Sequence, residues 1–469
     1  MRQFIASAFI GLTVIPFSIQ FVPSSFKPKP THLYSVNEKN PKSPYEFHIA
    51  PMQCYTNLPL RRFLNLLSPS SILWTEMEKV NDILESSTDT HANTQNQNDS
   101  LVHAWSKRLG SPLDNHSNLV LQLGCNDPIE LKTCLSRTLQ DYNTLKGINL
   151  NCGCPSIESG GASYYGASLM KDTELTGELV HAMKESIIES SKNTQSSPEI
   201  SVKCRIGVID NVDEMRPLTM EEDYEYLYKY VSTIRDAGVE HLILHARPAI
   251  LSGLSPVKNR IAPDLNYEIV ERIASDFQDL RVTLNGGIVG LNHLEQMMDK
   301  SLKSHISSHM AGRWCLRRPL DLVGIESMLL QDGDGNSISA VQAIEEYIDY
   351  VMDMINISPQ KREITTAELC LPLYLASEQL REDYDSYLYE DEDDEMNMFG
   401  VKNTLDIDDI EELYDVLCIG TQEIQSLLKG KKKDQSMRND LSFKKLSKSF
   451  KSVVGTKTVN KWKRNREEL

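Results

Sequence analysis

The chain lacks the marks of a secreted disulfide scaffold. Its 469 residues hold nine cysteines, an odd number spread from Cys54 to Cys418, whereas such scaffolds are short and Cys-dense. Reduced thiols and an intracellular protein are therefore expected. Cys152 and Cys154 are the one close pair, and no second Cys or His pair sits at zinc spacing, so no metal is expected. A long unbroken apolar run is also missing. The stretch Phe4–Val22 is interrupted by Gly11, Pro16, Ser18 and Gln20, which makes it short and broken for a spanning helix. Basic residues are the minority: 49 Lys and Arg stand against 66 Asp and Glu, a net charge of −17. Taken alone, that balance argues against a nucleic-acid binder, because phosphate contacts need cations. An apolar fraction of 40% and a charged fraction of 25% exclude whole-chain disorder and a polytopic membrane protein.

The charge is unevenly placed. Residues 429–469 carry 14 basic and 4 acidic residues, a net of +10, which leaves 35 basic and 62 acidic, a net of −27, for the rest. An acidic body is followed by a basic tail. At the other end, Arg2, Lys27 and Lys29 flank the broken apolar run, and no acidic residue precedes Glu38. Residues 1–44 read as a targeting leader or disordered extension, with a membrane anchor as the alternative. A leader of this kind implies an organelle, plastid or mitochondrion; otherwise the protein is cytoplasmic, with no stable membrane association once the leader is removed.

From Phe47 short apolar runs alternate with amphipathic stretches. Eight strands are expected at Phe47–Pro51, Ile72–Glu76, Leu119–Leu123, Gly147–Asn151, Ser201–Arg205, His241–His245, Arg281–Asn285 and His309–Arg313. Helical segments such as Leu175–Ser190, Tyr224–Ala237 and Tyr267–Phe277 lie between them. Eight such repeats imply an α/β fold, a (β/α)8 TIM barrel over residues 45–325. A doubly wound open sheet is the alternative. Beyond Ser339 the strand pattern stops, and Ala340–Asn356, Thr365–Leu380 and Ile410–Leu428 read as helices. A small all-α domain is expected over 338–428, with the acidic stretch Glu390–Glu395 as a solvated loop. The basic tail 429–469 is expected to be disordered when free, and residues 86–118 form a long polar loop after strand two.

A barrel presents its chemistry at the carboxyl ends of its strands. These ends carry APM (Ala50–Met52), TEM (Thr75–Met77), LQLG (Leu121–Gly124), NLNCGCPS (Asn149–Ser156), VKCRIG (Val202–Gly207), HAR (His245–Arg247), NGGI (Asn285–Ile288) and AGR (Ala311–Arg313). Cys154 follows a strand and a Gly-containing turn, where a thiol can serve as nucleophile or proton donor. The ordered set resembles the tRNA-dihydrouridine synthases, flavin enzymes that reduce uridine in tRNA. SGLSPVKNR (Ser252–Arg260) resembles the bacterial DusA-like subfamily in particular.

The resemblance implies FMN as cofactor, NADPH as reductant and tRNA as substrate, in a protein expected to be a monomer. Asn285, Gly286, Gly287, Gly312 and Arg313 would hold the FMN phosphate, with backbone donors and a cation at the phosphate site common in such barrels. Pro51, Met52, Gln122, Lys203 and His245 would contact the flavin ring. For the substrate, Asn151 matches a residue near the flipped uracil, Arg205 and Arg247 suit RNA contacts, and Arg260 matches a tRNA contact. Glu76 positions substrate or serves structure. Hydride from FMNH2 would reach C6 of a D-loop uridine, and Cys154 would protonate C5 as general acid. An ordinary thiol, with a pKa of about 8.5, is mostly protonated at neutral pH. The GCP register gives this role to Cys154 and leaves Cys152 to packing. Two other readings remain: an FMN-dependent barrel acting on a free pyrimidine or other small molecule, and a tRNA-binding protein without catalysis. The helical segment Ile364–Leu380 is poor in basic residues, and the basic tail is the candidate source of the missing cations.

Overall fold

Side chains alternate across the strands, and that alternation builds the frame. A computed structural model describes residues 45–86, 105–114, 116–155, 165–192, 197–301, 304–330, 339–357, 364–388, 405, 407–429 and 443–467. The leader, most of the polar loop and the acidic stretch lie outside the described residues. The strands are β1 (Glu46–Ile49), β2 (Leu73–Lys79), β3 (Leu119–Gly124), β4 (Gly147–Cys152), β5 (Glu199–Arg205), β6 (Val208–Asn211), β7 (His241–His245), β8 (Ala249–Ser252), β9 (Arg281–Asn285) and β10 (Ser308–Ala311). Eight form a parallel sheet in the order β1-β10-β9-β7-β5-β4-β3-β2. Its two ends meet: Ile49 N–H donates to the Ile72 carbonyl (2.9 Å), and Ile72 N–H donates to the Phe47 carbonyl (2.8 Å). The sheet closes into a barrel, and the open-sheet alternative falls.

Several details differ from the sequence reading: β2, expected to end at Glu76, runs on to Lys79 through an irregularity between Trp74 and Met77. The last barrel strand ends at Ala311, not Arg313, because Gly312 leaves the extended region and opens the helix Arg313–Arg317. A second parallel pair, β6 with β8, joins the segments that follow β5 and β7. Each is only four residues long, too short to stand out by periodicity.

The barrel interior is layered. Ala50, Ile72, Trp74, Val120, Ile243 and Met310 form an apolar plug, so the barrel is a packed core rather than a pore. At the amino ends of the strands lies an ionic floor. The Glu46 carboxylate takes Lys146 (2.7 Å) and Arg281 (2.6 Å), and Glu199 takes His241 (3.0 Å). Burial opposes the charge on Glu46, but His48, Arg281 and Lys146 together hold its carboxyl well below the usual range. Burial also pushes the His48 imidazole down to about 4, so it sits neutral in the wall. At the carboxyl ends, the inward positions carry the polar residues of the strand-end motifs.

The helices after residue 339 pack directly on this barrel. Tyr347, on the helix Ala340–Asn356, meets Phe63 edge-on at 5.1 Å between ring centroids. The helix Thr366–Leu388 is knotted to the end of the barrel by buried polar groups. Arg318 bridges Asp321 (2.9 Å) and Asp383 (2.7 Å), and Gln379 donates to Asp321 (2.9 Å). Each buried charge is thereby paired, as burial requires.

The tail departs most from expectation. Within it, Phe443–Val454 and Thr456–Glu467 are helices, not a disordered arm. Their apolar residues recur at helical spacing, and Leu446, Phe450 and Val459 are buried. Tyr374 supplies the platform, 5.7 Å from the Phe450 ring and 5.2 Å from Trp462. Composition alone hid this, because lysine dominates the count while the sparse apolar residues share one face. Among the described residues, no helix is long and apolar enough to cross a membrane.

Candidate active site

In β4 the inward residues are Asn149 and Asn151, and the outward ones include Cys152. This strand parity separates the two neighbouring cysteines. Cys152 is fully buried beside Tyr230 of the surrounding helix Glu221–Ala237, and burial pushes its thiol up to about 12. Cys154 lies beyond the strand end, only part-buried, on the wall of the pocket at the barrel mouth.

Most of the expected site residues converge there. Pro51, Met52, Gln122, Asn151, Cys154, Lys203, Arg205, His245, Arg260, Asn285, Gly286, Gly287, Gly312 and Arg313 all line this one pocket. Arg247 and Glu76 do not. The Arg247 guanidinium instead donates to the carbonyls of Ile261 (3.1 Å) and Pro263, holding that loop. Glu76 accepts the backbone N–H of Cys54 and fixes the turn after β1, where Cys54 adopts a positive φ of 66°. Burial, with Glu78 nearby, pushes the Glu76 carboxyl up.

An amide relay runs beneath Cys154. Gln122 donates to Asn149 Oδ1 (2.8 Å), Asn149 donates to Ser201 Oγ (2.9 Å), and Asn151 donates to Gln122 Oε1 (2.9 Å). The Oδ1 of Asn151 then accepts the N–H groups of Gly153 (3.1 Å) and Cys154 (3.0 Å). An asparagine amide has two acceptor and two donor positions. Three of these are occupied within the chain, and one Nδ2 hydrogen remains for a ligand.

Arg205 fixes the same loop from the other side. It is buried and donates to the carbonyls of Gly153 (3.1 Å), Pro248 (3.0 Å) and Asn259 (3.2 Å). The expectation of a direct RNA contact meets a guanidinium already committed to backbone. Gly166 completes the clamp, and sequence reasoning missed it. Ala167 N–H donates to the Cys154 carbonyl (3.0 Å). Gly166 has φ +73°, and a Cβ there would stand 2.5 Å from that same oxygen. No motif signalled this residue; only the close approach reveals it.

Basic residues and a glycine turn line the pocket together. Lys203 Nζ donates to Asn285 Oδ1 (3.0 Å). Burial, reinforced by Arg205, pushes its ammonium down to about 7. Burial and the charges of Arg205 and Lys203 drive His245 well below its ordinary value, so its imidazole is neutral. Burial lowers Arg313, and Arg260 and Arg247 depress it further, the mark of cations crowded without enough counter-charge. Next to His245, Gly286 and Gly287 have φ of +113° and +81°, and a Cβ on Gly287 would lie 2.3 Å from Tyr267 Oη. Glycine alone leaves this backbone open to an anion. Tyr55, Met77 and Pro256 also line the pocket. Met77 and Pro256 sat within the quoted motifs without being singled out, and Tyr55 carried no signal. Among the described residues no group of three or more His, Cys, Asp or Glu comes together as a metal site.

Comparison with known proteins agrees with this geometry. The family model described as Dihydrouridine synthase (Dus) matches residues 48–387. A tRNA-dihydrouridine(20/20a) synthase of Escherichia coli O6:H1 is 31% identical over 310 residues, covering 65% of this chain and 79% of that protein. Proteins of the same description from Pasteurella multocida and Shewanella oneidensis are 32% and 30% identical; they cover 66% and 68% of this chain, and 80% and 81% of their own lengths. With the barrel, the mouth cysteine and the glycine turn in place, a match across most of the chain leaves one conclusion: this protein is a member of the dihydrouridine synthase family.

Proposed function

We propose that the protein is a tRNA-dihydrouridine synthase that uses FMN and NADPH to reduce the C5=C6 bond of a D-loop uridine, at position 20 or 20a as in its relatives' descriptions. The observation that carries this reading is the part-buried Cys154 sharing a pocket with Lys203 and the Gly286–Gly287 turn.

The residues present fit an FMN. Gly286, Gly287, Gly312 and Arg313 offer backbone donors and a cation without intervening Cβ atoms, which suits a phosphate. Pro51, Met52 and Met310 offer an apolar face, and Gln122, Lys203, His245 and Asn285 offer polar atoms to a ring edge. When bound, FMN supplies the hydride that C6 of the uracil receives. Lys203 places a cation-capable group in the pocket, and such a group favours negative charge on the bound ring. The Cys154 thiol donates a proton to C5, and Asn151 and Arg205 hold its loop in register. The remaining Nδ2 hydrogen of Asn151 is available to a uracil oxygen. Arg260, exposed at the rim, is positioned for RNA.

The purified protein, incubated with NADPH and an unmodified tRNA transcript, should form dihydrouridine in the D-loop. If free uracil or another free pyrimidine is reduced and tRNA is not, the small-molecule reading replaces this one.

Lys203 also makes a prediction about stability. Its folded value of about 7 lies below its ordinary 10.5. Between those values the unfolded chain binds a proton that the folded chain does not, so stability rises with pH across that window. The penalty is fully present below about pH 7. Stripped of cofactor, the wild type should gain about 2 kcal/mol relative to Lys203→Met between pH 7 and 9, read from urea midpoints. Parallel curves would show that the ammonium is better solvated than its surroundings imply.

A further inference from the structure

We propose that the helix Thr456–Glu467 presents a phosphate-binding row, Lys457, Lys461 and Arg464, that extends the rim of the active-site pocket and grips the sugar–phosphate backbone of the RNA substrate. This deepens, and rests on, the tRNA reading above. The three residues stand at i, i+4 and i+7, so they share one face of the helix. All three are exposed, and among the described residues none has a carboxylate partner.

The opposite face fixes the row in place. Val459 is buried, Trp462 packs on Tyr374, and Arg466 is clamped by Glu382 (2.5 and 3.0 Å) and the Arg317 carbonyl (2.9 Å). Arg317 ends the short helix that begins at Arg313, a residue of the pocket wall. The row is also close to the rim itself. Lys461 lies near enough to Cys54 to oppose the burial and the Glu76 charge that raise that thiol. The neighbours of Cys54, Gln53 and Tyr55, line the pocket. Exposed Arg260 lines the same pocket.

The underlying helix supplies no comparable charge. On Thr366–Leu388 the Arg381 guanidinium is spent on Glu378 and Asp385 (both 3.1 Å). This segment of the tail lies beyond residue 387, where the family match ends. Cations held on a docked helix lose less conformational freedom on binding than a free arm would, and phosphate contacts need nothing more specific than fixed positive charge. An anionic membrane is the competing partner for a basic amphipathic helix. Here Leu446, Phe450 and Val459 are already buried against the protein, which leaves no apolar face to insert.

The test uses the full chain with its cofactor and the triple variant Lys457→Gln, Lys461→Gln, Arg464→Gln, with helical content and bound flavin as the control for folding. Its Kd for an unmodified tRNA transcript should rise at least tenfold at about 0.1 M salt, and the slope of log Kd against log salt should fall by about 2. The charge-conserving variant Lys457→Arg, Lys461→Arg, with Arg464 unchanged, should bind like the wild type. Equal affinity and slope in the glutamine variant overturn the row, as does a loss confined to phosphatidylserine vesicles. If the wild type forms dihydrouridine in tRNA, these outcomes fall on the row alone; a wild type that neither binds nor modifies tRNA sinks both readings.

Discussion

Replacing Cys154 with alanine should cut dihydrouridine formation by about 10²–10⁴-fold, the span typical of a lost general acid, while the protein stays yellow with bound flavin. The side chain is small and part-exposed, and its loop is held by backbone atoms: the Cys154 N–H on Asn151 and its carbonyl on Ala167. Truncation at the β-carbon disturbs neither. The loss should therefore appear in single-turnover chemistry with tRNA, and not in visible absorbance or in the affinity for tRNA. The natural control is Cys152→Ala. That thiol faces the helices with Tyr230, so its removal should lower stability and leave turnover in place. Normal turnover in Cys154→Ala, or equal losses in both variants, would remove Cys154 from the chemistry.

Asn151→Ala should lower kcat by about 10²-fold with little change in the KM for tRNA. Its amide does not merely face the pocket; it ties the Gly153 and Cys154 N–H groups to the Gln122–Asn149–Ser201 relay. Alanine leaves two N–H donors and one glutamine oxygen without partners, a cost of about 1–3 kcal/mol for each buried group left unsatisfied. The larger effect is geometric, because a shift of about 1 Å at a reacting atom can cost 10²-fold. Asn151→Asp keeps an oxygen for both N–H groups and should recover part of the rate, which a general packing defect would not show. An unchanged kcat would end the positioning role. A loss confined to the KM for tRNA would mean that Asn151 acts by touching the uracil.

The legibility of this protein in its sequence follows the range of the interactions involved. Strand positions were readable because a strand repeats every two residues, and that signal sits within six or seven positions. The same parity would have assigned Cys152 to the outer face once Asn151 was placed inward. Pocket membership was readable for the glycines of Asn285–Ile288 and for Lys203, because they sit at strand ends where a barrel opens. Glu76, expected at the end of β2 but lying inside it, and Arg247, just past β7, are instead claimed by their neighbours: Cys54 lies 22 residues from Glu76, and Ile261 and Pro263 lie 14 and 16 from Arg247. The tail was misread because average composition says little about a helix whose few apolar residues share one face.

What the sequence by itself determined is the barrel, the order of its strand-end motifs and the identity of the thiol at its mouth, since local periodicity and short spacings carry these. Only the tertiary structure decided which polar groups are still free to act. Arg205 is committed to carbonyls as far as 54 residues away, Asn151 keeps one donor of its four positions, and Lys457, Lys461 and Arg464 share one exposed face because Tyr374 and Glu382 hold the helix by its other side. A hydrogen-bonding group serves a ligand only when the fold has not already satisfied it, and that depends on neighbours the local sequence does not contain.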